Sequence, residues 1–159
     1  MTASQCLQMP AAQDRTVLAF PRCPTAGRFA QTHALSEDER IDLDRLRWLA
    51  LRSRLAPRPD LERACFLLAA GTGASLERYS IAFFRGLADY ASREMTVYRP
   101  GARSASDDEI WMLRLIAAWR RGEESAAAAL VAWRVEKPHR RWMRFLSAGL
   151  VRALDEKPV

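Results

Sequence analysis

Ser106-Asp107-Asp108-Glu109 stands directly ahead of Trp111, Leu115, Ala118 and Trp119, an apolar set at helical spacing. A serine followed three residues later by a glutamate is a capping box. The hydroxyl and the carboxylate each accept a backbone N–H that the first helical turn leaves without an acceptor. The same signature recurs at Ser36 and Glu39, ahead of Leu43, Leu46, Leu49 and Ala50. Two such starts, each feeding a period of 3.6 residues, make the helix the governing element of this chain.

Working outward from them predicts helices over 36–56, 60–70, 75–94, 106–121, 124–136 and 138–154. The expected fold is all-α: a compact bundle of five or six helices over 36–159, behind an irregular N-terminal tail over 1–35. The first helix must stop before Pro57 and Pro59, because proline lacks the N–H and clashes with the preceding turn. Ile41, Trp48 and Leu55 repeat at seven-residue spacing opposite its leucine stripe, so this helix is expected to lie between neighbours. Asp60 can cap the second helix, and every residue from 64 to 70 is apolar, which predicts the most buried helix of the set.

Gly71 suits a left-handed helix stop and Ser75 the next cap. With no strand before it and no lysine after it, the glycine-containing stretch 71–75 is not read as a phosphate cradle. The third helix should bury Leu76, Ser80, Phe83, Leu87, Tyr90 and Ala91, widened by Phe84 and Ala88. β-formers over 95–101 predict an extended connector or one short strand. Arg120 and Arg121 before Gly122 are the cations and terminator of a helix C-terminus. Alanines 126–129 with Leu130, Val131 and Trp133 build the fifth helix, and Pro138 suits the first turn of the last.

Function is constrained mainly by exclusion. The chain of 159 residues, 49% hydrophobic, can close one core. No apolar stretch approaches the roughly 18 residues of a membrane span. The N-terminus lacks a secretory signal's charged start and apolar block. Cys6, Cys23 and Cys65 are odd in number and scattered, which points to a reducing compartment and predicts a cytoplasmic protein. No CxxC or HxxxH spacing links them to His33 or His139, so no metal and no other cofactor is expected. Neither histidine has a serine or cysteine at motif spacing, and Asp107, Asp108 and Glu109 read as exposed helix-start acids. Enzymatic activity is therefore not expected.

Two segments remain as candidate surfaces. Net charge is +6, nearly all of the positive charge is arginine, and the last helix concentrates it. At 100° per residue, Trp142, Phe145, Leu146, Gly149, Leu150 and Ala153 share one side. Arg140, Arg141, Arg144 and Arg152 gather on the other, and no acid lies between 138 and 154. In the tail, Val17, Leu18, Phe20 and Arg22 form a short apolar run ended by a proline and a cation. That length suits a strand added to a partner's sheet edge or a peptide in a groove, and equally a segment folded back over the protein's own helices.

The expected function is a small helical adaptor or regulator acting by protein–protein contact. Its partner would offer an acidic surface to the basic face or a groove to the tail peptide. The alternative is non-specific nucleic-acid binding through the same arginines. Base-specific binding fits poorly, since a helix-turn-helix alignment puts Arg134 where the turn glycine belongs and Arg140 where the second helix should be apolar. Membrane-surface binding would consume the apolar side that the bundle needs.

Overall fold

The computed structural model describes residues 35–57, 60–71 and 75–156. Over these residues the chain is an all-α bundle of α1 (Glu37–Leu55), α2 (Leu61–Ala69), α3 (Leu76–Tyr90), α4 (Asp107–Arg120), α5 (Glu124–Arg134) and α6 (Arg140–Asp155), with a 3₁₀ turn (Lys137–His139) ahead of α6. The tail run Val17, Leu18, Phe20 and Arg22 lies outside the described residues. Among the described residues no helix is long and apolar enough to cross a membrane.

Local chemistry sets the helix starts. Ser36 Oγ accepts from Glu39 N–H at 3.2 Å, while Ser36 N–H donates to the Glu39 carboxylate at 2.9 Å. Ser106 and Glu109 repeat this reciprocal pair at 2.9 and 3.1 Å. Asp60 and Ser75 cap α2 and α3 by accepting from Arg63 and Arg78 N–H. Gly71 ends α2 with φ +71°, a conformation in which a side chain is strained.

The core lies among α1, α3, α4 and α6. α3 is the central element, packed most extensively on α6 and α1. Leu46 of α1, Met112 and Leu115 of α4, and Met143, Leu146 and Leu150 of α6 are among the fully enclosed side chains of this core. Trp111 is buried and donates its indole N–H to Leu130 O at 3.1 Å, tying α4 to α5. Trp119 is half-buried and donates to Ser147 Oγ at 3.0 Å, tying α4 to α6.

The burial pattern departs from the sequence expectations at several places. α2 is not the most buried helix: only Cys65 and Leu68 are covered, while Phe66 is 71% exposed. A helix of nine residues packed on α3 and α6 from one side leaves an all-apolar run with residues pointing outward. α1 likewise does not lie between neighbours on both sides, because Ile41, Trp48 and Leu55 face solvent. α3 stops at Tyr90, short of residue 94, because Ala91 turns extended and pairs antiparallel with Val135. Ser92 N–H donates to Arg134 O and Glu136 N–H to Tyr90 O, closing that bridge at 2.8 and 3.1 Å.

The acids at the start of α4 are also more than helix-start acids. Asp108 and Glu109 are buried, not exposed. Arg47 of α1, only 3% exposed, donates two hydrogen bonds to the Glu109 carboxylate at 2.7 and 2.9 Å. Two of its other N–H groups reach Ala102 O and Ser104 O, each at 2.7 Å. Glu109 accepts further from Tyr98 N–H and Ser106 N–H. Asp108 accepts from Arg93 and Thr96 N–H and pairs with buried Arg134. The extended connector over 91–106 is thus held by charge-assisted bonds rather than by a sheet. The hydrogen bonds to Glu109 hold the Arg47 pKa above its ordinary range. Desolvation lowers that of Arg134, whose Nε finds no acceptor.

Burial pushes the Cys65 thiol from the ordinary 9.0 up to about 11, since a thiolate would lose its water. The folded state therefore holds this proton more tightly than the unfolded chain. The resulting contribution to stability is intact below pH 9 and is lost as pH rises toward 11. With Cys6 and Cys23 replaced by serine, iodoacetamide at pH 8 should modify native Cys65 about 100-fold more slowly than the denatured chain, from the thiolate fraction alone. Equal rates would mean that α2 does not stay docked.

Candidate functional site

Extended Val135 and, after it, Glu136 separate α5 from α6, and Lys137, expected from sequence to resist helical angles before a proline, instead opens the 3₁₀ turn that leads into α6. α6 then runs without an acid until Asp155. Its buried line is Met143, Leu146, Ser147, Leu150 and Leu154, while Trp142, Phe145 and Ala153 are only half-buried. The helix is therefore turned somewhat about its axis relative to the side expected from sequence. Gly149 sits against the Tyr79 ring, which lets α3 and α6 approach closely.

This rotation decides which cations face out. Arg141, Arg144 and Arg152 are exposed, and with Ala148 between them they form one ridge about 16 Å long at 1.5 Å per residue. Arg140 leaves the ridge: it is half-buried and its Nε–H donates to Val135 O at 2.9 Å. The sequence holds no local signal for that withdrawal, because the acceptor is presented by the bridge between Ala91 and Val135.

Several cations elsewhere on the bundle are paired with carboxylates, while Arg54, Arg63, Arg99, Arg103 and Arg114 are exposed and, among the described residues, in no ion pair. Arg120 links Asp42 of α1 to Asp155 of α6, and these two carboxylates raise its pKa. Arg47, Arg93, Arg134 and Arg121 each hold a carboxylate. Among the described residues, none engages Arg141, Arg144 or Arg152 in an ion pair. Arg141 lies 5.8 Å from the Trp142 ring centroid, a loose cation–π contact.

Other features offer less chemistry. A cleft of about 550 Å³ opens between α1, α3 and the connector, floored by Phe84 and Leu87 and edged by Arg54, Arg85 and Arg93. Its one hydroxyl, Ser53, donates to Ala50 O at 2.7 Å, and no histidine or cysteine lines it to activate a nucleophile. His139 stacks on Tyr90 with ring centroids 3.6 Å apart. Among the described residues, no group of three or more His, Cys, Asp or Glu is placed to hold a metal ion. No family model, curated protein or solved structure matches the chain.

Proposed function

We propose that the chain is a small helical adaptor or regulatory protein, acting in the cytoplasm by protein–protein contact, and that Arg141, Arg144 and Arg152 meet an acidic surface on its partner. The observation behind this reading is the contrast in charge use. Five arginines are held by carboxylates of the same chain. Other exposed arginines without a carboxylate partner among the described residues, Arg54, Arg63, Arg99, Arg103 and Arg114, are spread over α1, α2, the connector and α4. Arg141, Arg144 and Arg152, with Ala148 between them, also lack one among the described residues but line a single ridge. A stripe of that kind steers an acidic partner and fixes its register.

A protein is favoured over nucleic acid on magnitude. Three phosphate contacts release few counterions, so affinity falls with a log–log salt slope of about 2.7, and little binding survives near physiological salt. At the start of α6, where a recognition helix would read bases, Arg140 is bonded to Val135 O and His139 is stacked on Tyr90.

The test replaces all three ridge arginines by glutamate in the full-length protein. Capture from nuclease-treated native host extract, followed by titration of the captured partner, should show affinity about 10- to 100-fold weaker for the triple variant, at roughly 0.5–1 kcal/mol per rim charge. Unchanged capture would remove the ridge from the function. Tight binding of a fluorescent single-stranded oligonucleotide at 150 mM salt would transfer these arginines to a nucleic-acid role.

A further inference from the structure

The outer face of α1 carries an apolar stripe that the bundle does not use. Ile41 is 52% exposed, Trp48 54%, Leu51 40% and Leu55 83%. At 100° per residue these four fall within about 80° of one another, opposite the buried line of Leu43, Leu46 and Ala50. Together they expose on the order of 400 Å² of apolar surface, at the upper end of what a monomer leaves uncovered.

Three of these four residues are symmetric along the helix. Ile41 and Leu55 each stand seven residues from Trp48, about 10 Å to either side along the helix. A two-fold axis through Trp48 therefore sets Trp48 beside its own copy and Ile41 level with the other copy's Leu55. The fourth, Leu51, comes level with the other copy's Arg45. The charges follow the same rule with opposite sign. Asp44 and Arg52 stand four residues before and after Trp48, so an antiparallel copy brings each level with the other. A parallel copy would instead set acid on acid and arginine on arginine.

We infer that α1 is the contact face of an antiparallel homodimer, with a second copy of this chain as its occupant. Seven-residue spacing of apolar side chains is what two helices crossing at about 20° require to interlock. The polar flanks are free to take part. Asp44 gives one carboxylate oxygen to Gly101 N–H, and among the described residues Arg52 pairs with Glu77, where both side chains are more than half exposed. Such an exposed pair is readily shared or exchanged. This surface is independent of the arginine ridge on α6.

Sedimentation equilibrium of the full chain from about 5 to 200 μM should give a species of twice the 18.0 kDa chain mass. Trp48→Ala should weaken association at least tenfold while leaving the helical circular dichroism unchanged, because Trp48 is more than half exposed. Asp44→Arg and Arg52→Asp should each weaken self-association, and an equimolar mixture of the two should recover it, since both cross pairs are then restored. Orientation is read in a background with Cys6 and Cys23 as serine: Ile41→Cys mixed with Leu55→Cys should form the mixed disulfide. A monomer throughout the concentration range, a dimer indifferent to Trp48→Ala, or Ile41→Cys linking preferentially to itself would each overturn the inference.

Discussion

Glu109→Ala should lower the unfolding free energy by about 3–5 kcal/mol, measured by urea denaturation followed by circular dichroism. The substitution strips the charge partner from Arg47, which is 3% exposed and cannot turn to water without carrying its connector contacts away. It also leaves Tyr98 N–H and Ser106 N–H without their acceptor. Glu109→Gln keeps the shape and one acceptor oxygen, so its loss should fall between those of wild type and alanine. Replacing Arg47 by Met together with Glu109 by Leu should recover only part of the stability, because apolar isosteres remove the desolvation cost of both ions but leave Tyr98 N–H, Ser106 N–H, Ala102 O and Ser104 O without their partners. A Glu109→Ala loss under about 1 kcal/mol would show that water already reaches this pair.

Gly149→Ala should cost about 2–3 kcal/mol by the same measurement, even though alanine is favoured over glycine in a helix by about 1 kcal/mol. A Cβ at this position would sit 2.1 Å from Tyr79 Cε1 and 2.6 Å from Cδ1 and Cζ. The Tyr79 ring is itself buried and flanked by Phe145, with centroids 6.2 Å apart, so it has little room to retreat. Gly86→Ala is the contrast. There the nearest atom is Met143 Sδ at 2.6 Å, on an unbranched thioether that can change rotamer, and the cost should stay within about 1 kcal/mol. In combination with Tyr79→Leu, Gly149→Ala should cost less than the two single losses summed, because the smaller side chain admits the methyl. Equal costs at the two glycines would refute a close approach of α3 and α6 at Gly149.

These two sites mark where sequence reasoning stops. Ser106 and Glu109 were legible as a capping box because both partners lie within one turn. That local account of Glu109 was correct and incomplete. Its second partner, Arg47, is 62 residues away, and only the docking of α1 on α4 brings them together. Asp108 repeats the pattern, since a first-turn acid needs no other explanation until Arg93, Arg134 and Thr96 N–H are found converging on it.

The candidate site divides the same way. A run of arginines without acids on α6 is readable by counting, and Arg141, Arg144 and Arg152 are indeed exposed. Arg140 looked equivalent to them on a helical wheel, yet its guanidinium turns to Val135 O. On α1, Ile41, Trp48 and Leu55 were recognised as a second apolar face, but periodicity measures amphipathicity along one helix and not which neighbours arrive.

What the sequence determined by itself was where the capped helices begin and where those before a proline or a left-handed glycine end, because these residues act on the backbone within a few positions. The end of α3 was set instead by the bridge between Ala91 and Val135. What only the tertiary structure decided was which face of each apolar helix is covered and which charge meets which. Those outcomes depend on the approach of segments far apart in the chain, where a buried carboxylate is tolerable only once a guanidinium has been carried to it.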